Sequence, residues 1–185
     1  MASNVEQTTR GDAAGSEGPQ RGLGSAVLTG VVLGIGIVGF IDETVFHQLL
    51  QWHSFYWATD AHGRILSDGL FHAVSTLILL WGAFRLWQDR ASPTPGRSSG
   101  TMAGILIGGG GFNTYDGVIQ HVILHLHLVN EHVCPKLNIN NSVATCTNDI
   151  PLEIVWIAVG SALLAAGILW WRRLAFAEGA RVAGA

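Results

Sequence analysis

Charge is scarce in this chain of 185 residues. Only 12% of the positions are Asp, Glu, Lys or Arg, about half of the ~25% usual in a soluble domain, while 49% are hydrophobic. Lys136 is the single lysine, and no basic stripe exists to grip nucleic acid. Cysteine is limited to Cys134 and Cys146, a C-x11-C spacing that lacks the C-x-x-C pair of common structural zinc sites. No Ser-His-Asp or nucleophile-elbow pattern is present. The glycine run from Gly108 to Gly111 is not followed by Lys or Ser at the spacing of a phosphate-binding loop, so that reading is excluded as well.

What the chain does have is long apolar runs. Leu23 to Ile41 holds no charge, Gly69 to Trp87 is broken by His72 and Arg85, and Ile150 to Trp171 is broken by Glu153. A fourth run, Met102 to His127, carries Asp116, His121, His125 and His127 in its second half. A helix needs ~20 such residues to cross ~30 Å of hydrocarbon. The fourth run meets this requirement only if its polar half faces protein or water. The expected fold is an all-α membrane protein of four transmembrane helices, arranged as two pseudo-symmetric hairpins forming a bundle in the lipid bilayer.

Arginine placement orients it. Arg10, Arg21, Arg85, Arg90, Arg97, Arg172, Arg173 and Arg181 fall on one side, against Arg64 and Lys136 on the other. Because Lys and Arg favour cytoplasmic loops, both termini are predicted cytoplasmic. The segments then read as a disordered cytoplasmic tail (1–22, with no cleavable signal), a first hairpin (23–87, outer loop about 42–67), and a Pro/Ser/Gly linker (88–101). A second hairpin (102–172, outer loop about 128–149) and a cytoplasmic tail (173–185) complete the chain. Cys134 and Cys146 share the second outer loop, where an oxidising compartment favours a disulfide between them. Trp52 and Trp57 outside, and Trp87, Trp170 and Trp171 inside, fit aromatic belts.

All eight histidines fall in the outer half of this map, and so do six acids, Asp42, Glu43, Asp68, Asp116, Asp149 and Glu153. Ionisable groups in a span are costly and mark function or buried pairing. The two hairpins also repeat. Asp42 to His53 and Asp116 to His127 both read D-x4-H-x5-H, and each half continues with an acid and a second ligand-type residue four positions on, Asp68 with His72 and Asp149 with Glu153. This reads as a diverged internal duplication about an axis along the membrane normal. The pairs Glu43/His47, Asp68/His72, His121/His125 and Asp149/Glu153 each share a helix face. Asp42 and His47 do not, because five residues turn an ideal α-helix by about 140°. Either the glycine-rich end distorts, or Asp42 is a supporting partner or a helix cap.

Helices that each turn an acid or histidine inward build metal sites in bundles. The expected metal ligands are His47, His72, His121, His125 and Glu153, with Asp68, Asp116 and Asp149 as ligands or their supports, and Asp42 and Glu43 next. Imidazole with carboxylate suits a transition metal, iron or copper first and zinc after them. Haem held by paired histidines, His72 with His121 or His47 with His125, is the lesser expectation. Asp68 and Asp149 also read as helix caps, His53 and His127 as interfacial side chains, and His62 and His132 as solvated ones. A metal carrier, a metal-free hydrogen-bonded network and a proton pathway stay open beside a redox enzyme, as does a homo-oligomer.

The runs GFIDETVFHQLLQWHSFY, DGLFHAVSTLILLWG and GGGGFNTYDGVIQHVILHLH resemble a family of small bacterial membrane proteins of unknown function, over roughly residues 23–172. The resemblance implies a bacterial inner membrane and four spans. It brings no assigned activity. It points to a respiratory oxidase or its assembly factors as partners, which favours a copper or haem connection.

Overall fold

A computed structural model describes residues 19–91, 96–134 and 146–184. Most of the amino-terminal tail, the centre of the linker and Lys136 with the middle of the second outer loop lie outside the described residues. Helix is the only regular structure among the described residues. It comprises α1 (Pro19–Ile41), α2 (Ala61–Asp89), α3 (Arg97–Tyr115) and α4 (Ile150–Ala183), with two π-helical segments, Asp42–Leu49 continuing α1 and Asp116–Ile123 continuing α3. Short 3-10 turns at Glu131–Val133 and Thr147–Asp149 lie beyond the second π-segment.

Three segments are long and apolar enough to cross a membrane, Gly22–Leu49, Ala61–Asp89 and Thr147–Ala183. At about 1.5 Å per residue, the 34 residues of α4 reach about 51 Å, so the helix continues through the stretch expected as a carboxy-terminal tail. The α3 segment falls short of that hydropathy because glycines and the polar second half dilute it. Those same glycines are what place α3 in the middle.

Across the bundle the order is α2, α1, α3, α4. The central pair runs parallel and meets backbone to backbone. A methyl group on Gly30 would strike the Thr101 carbonyl and come within 2.9 Å of Gly104 Cα, and one on Gly34 would strike the Ile105 carbonyl. Gly104 and Gly108 return the arrangement against Val27 and Val31. Small residues at helix interfaces permit this approach, and in a bilayer it is close packing that holds helices together. The outer helices pack antiparallel on their neighbours. Gly36 faces Leu79 and Gly82 faces Leu33 between α1 and α2, while Gly110 faces Gly160 and Gly167 faces Ala103 and Ile107 between α3 and α4.

The repeat extends to the backbone. In each half the first residue past the π-segment donates its N–H five positions back, Leu50 to Val45 and Leu124 to Ile119, both at 2.8 Å. The next residue, Gln51 or His125, takes a left-handed conformation with φ of 51° or 49°. The loops then cross between halves. Trp57 N–H donates to Leu126 O (3.0 Å), and Glu131 N–H donates to Trp52 O (2.7 Å). Asp68 accepts the Phe55 N–H (2.7 Å) as Asp149 accepts the Val129 N–H (2.9 Å).

Three expectations change here. Asp68 does not begin a helix. That end belongs to Asp60, whose carboxylate accepts the Gly63 N–H, while Asp68 lies inside α2. Asp149 stands at the start of α4 but spends its carboxylate on the amides of Val129 and Asn130. Trp57 is buried rather than belted, against Leu128 and Cys134, with the Arg64 guanidinium 4.9 Å from its ring centre. Cys134 and Cys146 form a disulfide beside it.

Candidate metal centre

The two π-segments resolve the problem of the five-residue step. A π-helix bonds residues five apart instead of four, so its wider turn brings Asp42 and His47, and likewise Asp116 and His121, onto one face. His47 Nε2 lies 3.6 Å from Asp42 Oδ2, and His121 Nε2 lies 3.1 Å from Asp116 Oδ2. The chain then leaves the helix, turns through its left-handed residue and returns a second histidine from the loop. His53 Nε2 comes to 4.0 Å from Asp42 Oδ1, and His127 Nε2 to 3.7 Å from Asp116 Oδ1. Each half thus contributes one aspartate and two histidines whose donor atoms lie within 4.8 Å of one another.

The two triads meet at the pseudo-two-fold axis. The His53 and His127 rings stack at 4.7 Å, and within the triads His47 meets His53 at 4.3 Å and His121 meets His127 at 4.4 Å. All six residues are at most 4% exposed. The Nε2 atoms of all four histidines, and Asp42 Oδ1, are buried without a hydrogen-bond partner among the described residues.

The other ring nitrogen is engaged in three of the four histidines. His47 Nδ1 lies 3.2 Å from Asp68 Oδ1, with Glu43 Oε2 also at 3.2 Å. His121 Nδ1 meets Glu153 Oε2 at 2.9 Å, and His53 Nδ1–H donates to the Val129 carbonyl at 2.8 Å. Such partners fix the tautomer and leave the Nε2 lone pair pointing inward. Burial holds the His53 imidazolium well below its usual range. The neutral ring is the form that ligates a metal. Trp156 contributes an unanticipated support, its indole N–H donating to Asp116 Oδ2 at 3.1 Å.

Of the residues expected as ligands, Asp42, His47, Asp116 and His121 lie in the triads. Glu43, Asp68 and Glu153 stand behind the histidines, with Glu43 held by Gln48 (2.7 Å). Asp68 also joins Glu43 and His47 in a third potential metal-holding group. Asp149 holds loop amides beside Glu153. His72 is half-buried against Phe40, with ring centres 5.4 Å apart. His125 is exposed and lines a cavity of about 290 Å³ with Asp149 and Glu153. Sequence reasoning set His53 and His127 aside as interfacial, although the third letter of the repeated D-x4-H-x5-H marks them both.

Residues 29–174 match a family described as predicted membrane protein, DUF2243. The chain belongs to that family. It is accordingly a membrane protein of a family without assigned activity, with helical spans and a disulfide. No curated protein matches the chain, and no solved structure does.

Proposed function

We propose that this protein holds a dinuclear transition-metal centre near the outer face of the membrane, each ion bound by one half of the duplication. Asp42, His47 and His53 would hold one ion, and Asp116, His121 and His127 the other. The observation that carries the reading is the convergence of four imidazole Nε2 atoms, buried and without hydrogen bonds, on two buried aspartates. Buried polar groups without partners cost about 1–3 kcal/mol each, and ligation would offset that cost for all of them together. Two histidines with one carboxylate is a donor set that suits non-haem iron, with copper and zinc as the next candidates. Both thiols are spent in the disulfide, so no soft ligand competes. Rings packed this closely favour ions over a porphyrin between them, and the burial favours a resident centre over an exchangeable carrier site. When bound, such a centre supplies Lewis-acid or one-electron chemistry. The chain's own residues fix the imidazole tautomers, hold the carboxylates and exclude water.

The same reading takes α3 with its π-segment as a fourth span, buried between its neighbours. It puts the protein in the inner membrane of a bacterium, with both termini in the cytoplasm. Arg90 and Arg97 at one end of the bundle, with the disulfide and the histidine cluster at the other, support that orientation.

The test is elemental analysis with a visible spectrum on detergent-purified protein, beside the variants His47→Gln, His121→Gln and His62→Gln. Stoichiometric metal is expected in the parent and in His62→Gln, whose side chain is exposed, with loss in the other two. Folded parent protein that takes up no metal after reconstitution would leave a metal-free hydrogen-bonded network instead.

A further inference from the structure

Beside the cluster lies a crevice of about 450 Å³ between the outer end of α1 and α4. Its walls are mostly apolar, from Val38, Ile41, Phe46, Leu152, Val155 and Val159, with Asn113 and the indoles of Trp52 and Trp156 also lining it. Ile41, Val155 and Val159 are about half exposed, and both helices belong to segments apolar enough to cross a membrane. The mouth therefore opens sideways, toward lipid rather than water. Asp42 also lines the crevice, 2% exposed, and its Oδ1 is buried and accepts no hydrogen bond among the described residues. The same Oδ1 lies 4.0 Å from His53 Nε2, and Oδ2 lies 3.6 Å from His47 Nε2.

The duplication supplies a control within the molecule. Carried through the repeat, Val38, Val129 and Leu152 correspond to Phe112, Phe55 and Phe71. In that half the three rings stack on one another, Phe55 on Phe71 at 5.1 Å and Phe71 on Phe112 at 6.1 Å, while Gln120 and Ser75 stand where the first half's crevice has Phe46 and Trp156. Next to Asp42 the same positions carry aliphatic side chains, and the space stays open. The volume lies in the range of small-molecule sites.

We infer that the crevice admits a bilayer-soluble molecule with an apolar body and one hydroxyl group, entering between α1 and α4 and donating its hydroxyl hydrogen to Asp42 beside the metal ligands. The inference rests on the metal-centre reading for what the molecule would meet beyond Asp42. Binding itself needs only the crevice and the carboxylate.

The experiment uses a diazirine-bearing long-chain alcohol as photoprobe on the full-length protein in lipid nanodiscs, with metal measured on the same sample. Crosslinks are expected to concentrate in residues 38–46 and 152–159. Excess unlabelled alcohol should displace them, and the alkane of equal length should not. The double variant Val38→Phe/Leu152→Phe copies the phenylalanine-bearing half and is expected to lose this labelling while keeping its metal. Val155→Trp, at the exposed mouth, is a second obstruction that leaves the interior untouched and should act the same way. Labelling that persists in a folded obstructed variant, or that the alkane displaces equally well, overturns the inference. Metal without displaceable labelling overturns the crevice and leaves the metal centre. Displaceable labelling without metal overturns the metal centre and leaves the crevice.

Discussion

Glu43 and Glu153 reach equivalent histidines from non-equivalent places. Glu43 comes from the first π-segment, where the other half has Gly117, and Glu153 comes from α4, where the other half has His72. Each histidine thus has a carboxylate behind it from a different place in its half, as expected if the pairing matters more than the residue that provides it. Replacing such a partner typically lowers metal affinity about 10–100-fold without removing the ligand. Glu153→Gln is therefore expected to bind metal in that weakened range while staying folded, as read by competition with a chelator of known strength. Unchanged affinity would remove Glu153 from the centre. His125 makes the contrary case. It is exposed and left-handed, a conformation that costs a non-glycine residue on the order of 1–3 kcal/mol. His125→Gly should retain all its metal and unfold at a higher temperature in detergent. Loss of metal would restore it as a ligand. Cost alone singled out the acids with His47 and His121, since nothing in apolar packing asks for them, but it singled out His72 and His125 equally, and these lie outside the triads. His53 and His127 were not singled out, because six residues beyond a helical ligand point elsewhere on any straight helix. Only the turn after the π-segment brings them back.

The π-segments and the glycine face act together. The first set the angle between aspartate and histidine within each half, and the second sets how near the halves come. Gly30 and Gly34 let the α1 backbone rest on that of α3, and this approach places the two triads against each other. A side chain inserted there has no room to turn aside, since what it meets is backbone. Gly34→Val is expected to destabilise by about 1–3 kcal/mol or more and to lower metal occupancy in the protein that still folds. Gly24→Val, with nothing within 4 Å of the added carbon, should do neither. Thermal unfolding followed by elemental analysis of the folded fraction checks both. The glycine-rich contact could be read from composition, because small residues inside apolar runs signal close helix approach. The π-geometry could not, because hydrophobic periodicity records where a helix faces lipid and is silent on the bonding of a polar end. The step of five in D-x4-H was its one trace.

At the scale of the molecule, three segments carry the hydropathy of spans and the fourth is sheltered by them. A sliding window judges α3 by its own side chains, whereas in the bundle its surroundings are mostly other helices. A reporter active only in the cytoplasm, fused after Ala185, is expected to be active, and the same reporter placed in the outer loop near His132 is expected to be silent. The reverse result would invert the orientation and put the disulfide on the reducing side. The hydrogen bonds that cross between the two outer loops carry a last consequence. Trp52, next to His53, is held by Glu131, His53 itself by Val129, and the reciprocal bond runs from Trp57 to Leu126. Each histidine-bearing loop is thus braced by the other repeat. A single hairpin, with its ligands complete, would lack the strap that keeps the second histidine in place. A lone hairpin would therefore need a second one beside it to hold that histidine.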